Sequence, residues 1–423
     1  MKILMVCDAF PPDFAPRMGY LCKYLKHAGH TVDVVHEEGT DQRFAFLCGY
    51  ADHVLPVRFY HKKSRNGKRV EWVYTILRDI LWHYKDKTLV QRVRQNPDWG
   101  GYDIVLCSTY RTFPLKAAHR LARIFGIPFV ADLRDIIEQY PDNSYLLHHL
   151  PLGKSLSVCV ENRVRHHLLR QRNKLIAQAA AVISVSPWHV ALLQAFNPCS
   201  KLIYNGFDSE VFFPADTPDN CFRITYTGRI ISLRIRNPDW LFEAVARLLK
   251  KGEVSASDFR LCFYVDVQGK GILTDLARRY GVEAVTECFD LLPADKVPAL
   301  LNRSSVLLQL ANKADDNGPK GIMTTKLFEA MAVGKPLLLV RSDESYLAET
   351  ITRFRCGLAA QDVDSIEMFL KTQYQKWKQT GSTAIEVSPE LEKAFSRKEQ
   401  AGQFVALFKE ILAAQNKKDA RQS

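Results

Sequence analysis

The ten cysteines are scattered singly from Cys7 to Cys356, with no C-x-x-C pair and no Cys/His cluster at zinc spacing. A disulfide framework and a structural zinc site are therefore not what organises this chain, and reduced thiols in a cytoplasm are expected. Hydrophobic runs of membrane-spanning length are also missing. The opening MKILMVCDAFPP carries only a short apolar run before Asp8 interrupts it, which predicts a strand rather than a signal-peptide core. Internal repeats and low-complexity tracts are absent too. Acidic side chains are in deficit: 58 Lys and Arg against 46 Asp and Glu leave a formal charge of +12. That balance suits a partner rich in phosphate, whether a nucleotide, a nucleic acid or an anionic membrane surface. No recognisable nucleic-acid module or stacking-aromatic motif accompanies the basic residues, so nucleic acid is not expected among the partners.

What the sequence does contain is alternation. A chain of 423 residues, 47% hydrophobic, is too long for one ordinary core and predicts two domains with a cleft between them. KILMVC (2–7), TVDVVH (31–36), DIVLC (103–107), PFVADL (128–133), AAVISVS (180–186) and KLIY (201–204) are short apolar runs. Such runs suit strands buried on both faces of a parallel sheet. Helical periodicity fills most of the intervals, as from Arg17 to the stop at Gly29. Around NGFDSEVFFPADTPDN (205–220) the periodicity lapses, and a second series opens with FRITYT (222–227), FRLCFYVD (259–266), SSVLLQL (304–310) and PLLLV (336–340). The expected fold is α/β, with two Rossmann-like doubly wound domains over 1–200 and 201–390. A crossover helix over 391–415 is expected to return to the first domain, with a frayed tail at 416–423. Residues 59–99 and 163–174 interrupt the alternation with basic and, in the first case, aromatic side chains.

Two segments carry chemistry. In MTTKLFEAMAVGKP, Thr324 or Thr325 is a natural N-cap, and Lys326 to Val333 reads as a helix that Gly334 ends and Pro336 forbids from continuing. Leu327, Phe328, Met331 and Ala332 form its apolar stripe, whereas Thr325 and Glu329 share the opposite face. Free N–H groups at such a tip suit a diphosphate, and a carboxylate one turn deeper, about 6 Å away, suits a ribose diol. In ITYTGRIISLRIRNPDW a strand runs into Gly228 and Arg229, then Arg234 and Arg236, before a helix expected to be capped by Asn237 and started by Pro238. Guanidinium groups there are read either as a permanently charged phosphate clamp or as a solvated basic loop. Asp315 and Asp316 have no histidine or third carboxylate nearby in sequence, so no metal ligand set is expected.

These pieces, in the order KILMVCDAFPP, GHTVDVV, IPFVADLRD, AAAVISVSPWHVALL, LIYNGFDSEVFFP, ITYTGRI and TTKLFEAMAVGKPLLLV, resemble the retaining GT-B glycosyltransferases of family 4 over nearly the full length. The resemblance implies transfer of a sugar from a nucleotide diphosphate sugar to a hydroxyl, with retention and without a metal or other cofactor. It assigns donor binding to Gly228, Arg229, either Arg234 or Arg236, Thr324, Thr325, Lys326 and Glu329, and a catalytic role to Arg229. The family's histidine near the reacting carbon aligns with Arg134, beside Asp135. This pair is read either as catalytic or as a structural ion network. Gly321 stands where the family has a glutamate that touches the donor sugar; Asp315, Asp316 or backbone of that loop would take its role. The family's glycine pair is replaced by Ala15-Pro16-Arg17-Met18-Gly19, so Arg17, Met18 and Gly19 are candidates for acceptor or phosphate contact, with a structural arginine as the alternative. The acceptor, a glycan or lipid-linked sugar, is expected on the first domain of a cytoplasmic protein, whose basic, aromatic segment 59–99 is read either as resting on the anionic inner face of a membrane or as an exposed helix pair with a solvated charged face. A nucleotide-sugar epimerase and a non-catalytic nucleotide-sugar-binding protein are the alternatives on the same fold.

Overall fold

A computed structural model describes residues 1–61, 65–110, 112–140, 154–215, 217, 219–230, 233, 236–311 and 323–422. It divides into two compact units, Met1–Tyr204 with Gln400–Ser423, and Asn205–Glu399.

The first unit is built on β1 (Lys2–Cys7), β2 (Thr31–Glu37), β3 (His53–Val57), β4 (Ile104–Thr109), β5 (Phe129–Leu133), β6 (Ala181–Ser184) and β7 (Ser200–Leu202). They form one sheet in the order β3-β2-β1-β4-β5-β6-β7, parallel in every pairing. The apolar run of β1 follows from cover on both faces. Leu4 and Val6 pack with Leu89, Val93, Leu115 and Leu121 from two helices on one side. Ile3, Met5 and Cys7 pack on the other side with Met18, Leu21 and Leu25 of the Pro16–His27 helix and with Phe404 and Phe408 of the last helix.

The second unit repeats the plan with β8 (Phe222–Thr227), β9 (Phe259–Tyr264), β10 (Thr286–Phe289), β11 (Val306–Gln309), β12 (Leu337–Leu339) and β13 (Gly357–Ala359). Their order is β10-β9-β8-β11-β12-β13, again all parallel. Phe222, Ile224, Phe259, Leu261 and Phe263 pack against Leu241, Phe242, Val245 and Leu248 of the Asp239–Lys250 helix and against Ile366 and Leu370 of Val363–Thr380. In both sheets the winding reverses beside the first strand of the unit, between β1 and β4 and between β8 and β11. Ligands of open α/β sheets sit beyond the carboxyl ends of strands at such switch points.

Two expectations about the helices are revised. Pro238 is the N-cap residue and the helix starts at Asp239, with the Asn237 side chain accepting from the Asp239 amide at 3.1 Å. The stretch read as one crossover helix is two, Pro389–Phe395 and Arg397–Gln422. The chain bends at Ser396 because Phe207 pairs there: its amide donates to the Phe395 carbonyl at 3.0 Å and its carbonyl accepts from the Arg397 amide at 2.8 Å. Gly206 permits this approach, since a Cβ there would lie 2.1 Å from the Phe395 oxygen.

Candidate functional site

At the carboxyl end of β8 the backbone of Gly228 adopts φ +135°, a conformation that L side chains avoid. A Cβ at this position would lie 1.7 Å from Lys326 Nζ, so the amine fills the space a side chain would need. The same amine lies 5.4 Å from the centroid of the Tyr226 ring. Lys326 is thereby fixed against the strand end that carries Arg229. Arg236 joins them, because its Nη1 donates to the Arg229 carbonyl, which also accepts from the Tyr226 hydroxyl at 3.2 Å. Arg229 itself is exposed.

The helix behind this cluster is Thr325–Ala332, with Thr324 as an extended N-cap (φ −81°, ψ 154°) whose side chain makes no capping bond. Leu327, Phe328, Ala330, Met331 and Ala332 anchor it in the core, which leaves Thr325, Lys326 and Glu329 part-exposed. Lys326 and Glu329 line a cavity of about 10 Å³ together with Thr225, Thr227 and Gln309, room for roughly one water.

Charge is unbalanced here. Burial pulls the Lys326 ammonium down to about 7, the charges of Arg236 and Arg229 push in the same direction, and Glu329 opposes them. Burial pushes the Glu329 carboxyl up to about 7, opposed by Arg397 and then Lys326. Several cations thus crowd around one carboxylate at a helix start, an arrangement that an added anion relieves. Arg397, almost fully buried, was missed by sequence reasoning; it lies 68 residues beyond Glu329 in the chain and belongs to no motif. Of the predicted donor residues, the structure brings Gly228, Arg229, Arg236, Lys326 and Glu329 together, with Thr324 and Thr325 at the same helix start. Arg234, Asp315, Asp316 and Gly321 lie outside the described residues.

At the carboxyl ends of β1, β4 and β5 the first unit holds a different network. Arg134 donates through Nη2 to Asp8 Oδ1, and Asp8 Oδ2 accepts from Thr109 Oγ1 at 3.2 Å and the Tyr110 amide at 3.3 Å. Asp135 Oδ1 accepts from Gln139 Nε2 at 2.9 Å, and burial raises this carboxyl above its usual range. Gln139 Oε1 lies 2.9 Å from His189 Nε2, and His189 Nδ1 lies 3.0 Å from Ser184 Oγ. Burial brings His189 down to about 4, so the ring is neutral near pH 7. Asp8, Gln139, Ser184 and His189 were not singled out in the sequence. Asp8 was signalled only as the first polar residue after an apolar run.

The contact expected of Arg17, Met18 and Gly19 is corrected. Arg17 is 3% exposed. Its Nε lies 3.2 and 3.1 Å from the two Asp132 oxygens, and its Nη2 lies 2.9 Å from Oδ1. Nη2 and Nη1 also donate to the carbonyls of Ile203 and Tyr204 at 3.0 and 2.9 Å. Met18 is core, and a Cβ on Gly19 would lie 2.7 Å from Pro11 Cγ. These residues hold the unit together rather than face a ligand. Among the described residues no three His, Cys, Asp or Glu side chains gather in a way that would hold a metal ion.

No protein-family model matches the chain, and no curated protein sequence matches it. Solved structures match over nearly its whole length. Sucrose-phosphate synthase from Thermosynechococcus elongatus is 14% identical with a TM-score of 0.61, covering 98% of this chain and 100% of that one. HepE from Anabaena in complex with UDP and glucose is 16% identical, TM-score 0.64, covering 97% and 100%. A UDP-N-acetylglucosamine 2-epimerase is 14% identical, TM-score 0.51, covering 96% and 94%. The chain has the GT-B fold, which hosts more than one chemistry.

Proposed function

We propose that this protein is a retaining glycosyltransferase that moves a sugar from a nucleotide diphosphate sugar to a hydroxyl of a glycan or lipid-linked acceptor. The observation that carries the reading is the meeting of Gly228, Arg229, Arg236 and Lys326 at one strand end, with Glu329 a turn behind them. The diphosphate lies against the cations and the helix start, and the ribose diol donates to Glu329. As the anomeric carbon leaves the β-phosphate oxygen, negative charge grows on that oxygen, where Arg229 and Lys326 stabilise it. The acceptor oxygen bonds the same face of the carbon and its proton passes to the departing phosphate oxygen, so that a glycoside and a nucleoside diphosphate result. In this reading Arg134 and Asp135 serve the acceptor, and the arginines, the lysine and the helix tip supply the charge stabilisation without a metal. The resemblance to family 4 supports retention and assembly of a bacterial polysaccharide or glycolipid. The basic segments support a cytoplasmic protein at the inner face of the membrane. The solved complex of HepE with UDP makes uridine the first base to test.

Thermal shift against UDP- and GDP-sugars, followed by product analysis with and without chelator, tests the proposal. A stabilising nucleotide sugar with chelator-insensitive transfer is expected. Epimerised donor without acceptor consumption would replace transfer by epimerisation, the reading favoured by the structural match to an epimerase. Binding without turnover across donors and acceptors would leave a binding protein.

A further inference from the structure

The membrane placement above rests on a basic segment; the structure narrows it to one surface of the first unit. The helix Arg65–Trp82 exposes Val70 (70%), Val73 (49%), Tyr74 (59%), Leu77 (52%) and Leu81 (62%). At 3.6 residues per turn these five fall within an arc of about 100°. Thr75, on the far side of the helix, is buried. Trp82, 58% exposed, ends the helix, and His83 turns the chain away with φ 50°.

The segment that carries this stripe is basic in sequence. From 61 to 82 the sequence has six Lys or Arg against two acids, Glu71 and Asp79. Both acids are engaged locally: Glu71 Oε2 accepts from the His61 amide at 2.8 Å and Asp79 Oδ1 from the Lys85 amide at 2.9 Å. Arg78 lies along the stripe, its guanidinium carbon 3.8 Å from the Tyr84 ring centroid and 5.4 Å from that of Tyr74. Burial lowers the pKa of His83, and the charges of Lys116, Lys87 and His167, from three other helices, act in the same direction, with Asp79 opposing them. No described helix is long and apolar enough to cross a membrane.

We infer that the Val70, Tyr74, Leu77, Leu81 face lies on an anionic phospholipid bilayer, with the aliphatic side chains and Trp82 entering the acyl boundary and the basic residues beside them meeting lipid phosphates. Exposed aliphatic residues with Tyr74, Trp82 and Arg78 beside them on one helix match the interfacial mode of membrane binding, in which Trp and Tyr favour the headgroup level. Juxtamembrane cations add attraction to anionic lipid. The inference rests on the membrane placement proposed above and not on the transfer reaction.

Flotation of the full chain with phosphatidylcholine vesicles, with and without phosphatidylglycerol, is the test. Wild type is expected to float with the anionic vesicles and to be released by salt. The double variant Leu77→Glu with Leu81→Glu is expected to lose about tenfold or more of its vesicle partition, whereas Val267→Glu, at an 82% exposed apolar position in the second unit, should not change it. Melting temperature and donor-induced stabilisation should be unaltered in the double variant, which separates a lost docking face from a lost fold and from a wrong donor. Unchanged flotation of the double variant, or equal binding to neutral vesicles, overturns the proposal. So does a wild-type dimer that the double variant abolishes without vesicle binding, which would give the stripe to a second copy.

Discussion

The two sheets are wound alike and end in opposite electrostatic states. At the carboxyl edge of the first, Arg134 is paired with Asp8, and just inside it Arg17 is paired with Asp132. At the edge of the second, Arg229, Arg236 and Lys326 gather, and among the described residues Glu329 is the carboxylate that acts on Lys326. A paired cation stabilises the protein that holds it, provided both charges stay together. Cations in excess wait for a charge from outside. The same winding beside the first strand thus carries paired cations at one edge and cations in excess at the other, the edge proposed above to bind the donor diphosphate, and the difference lies in a few side chains.

Arg17→Ala should show the largest effect. It leaves Asp132 as an uncompensated buried charge and should cost about 3–5 kcal/mol, lowering the melting temperature by roughly 10 °C. An unchanged melting temperature would erase the contrast from the first side. Arg229→Ala tests the other side. Its exposed guanidinium should be dispensable for folding, yet kcat/KM should fall about 100- to 1,000-fold, the scale seen on removing one group that stabilises developing charge. Wild-type turnover in this variant would remove the clamp.

Glu329→Gln should act more mildly, weakening donor affinity about tenfold, since one charge-assisted hydrogen-bond site is lost. It also carries a pH signature. With Glu329 and Lys326 both near 7 in the free protein, affinity falls below that pH as the carboxylate is protonated and above it as the ammonium loses its proton. The result is a maximum near neutrality. The Gln variant should lose the acid limb and keep the alkaline one in calorimetric titrations from pH 5.5 to 8.5. An acid limb that persists would assign that titration to another group.

The central strands were legible residue by residue. FRITYT coincides with β8 and KILMVC with β1, because a strand covered on both faces must be apolar throughout. The strands that were missed, β3, β10 and β13, all lie at sheet edges. HVLPV holds a proline that only an edge tolerates, TECF is neither an apolar run nor an alternating one, and GLA is too short to form a pattern. The site divides the same way. Gly228 with Arg229, and Lys326 with Glu329, each lie within one local element and announce a helix start or a strand end. Asp8 with Arg134 and Arg17 with Asp132 are 126 and 115 residues apart, and no spacing rule reaches that far.

By itself the sequence determined which segments would be strands buried in parallel sheets, and where a helix tip and an arginine-bearing strand end would carry positive charge. These are properties of neighbours in the chain, set by periodicity, capping and turn chemistry. Only the tertiary structure decided which cations are consumed and which remain in excess: Arg17 and Lys326 both sit at the start of a helix, but folding brings a carboxylate in to bind the first and a glycine in to make room for the second. The physical reason is that a charge acts over a few ångströms of space, and what lies within that distance is set by sheet order rather than by sequence order.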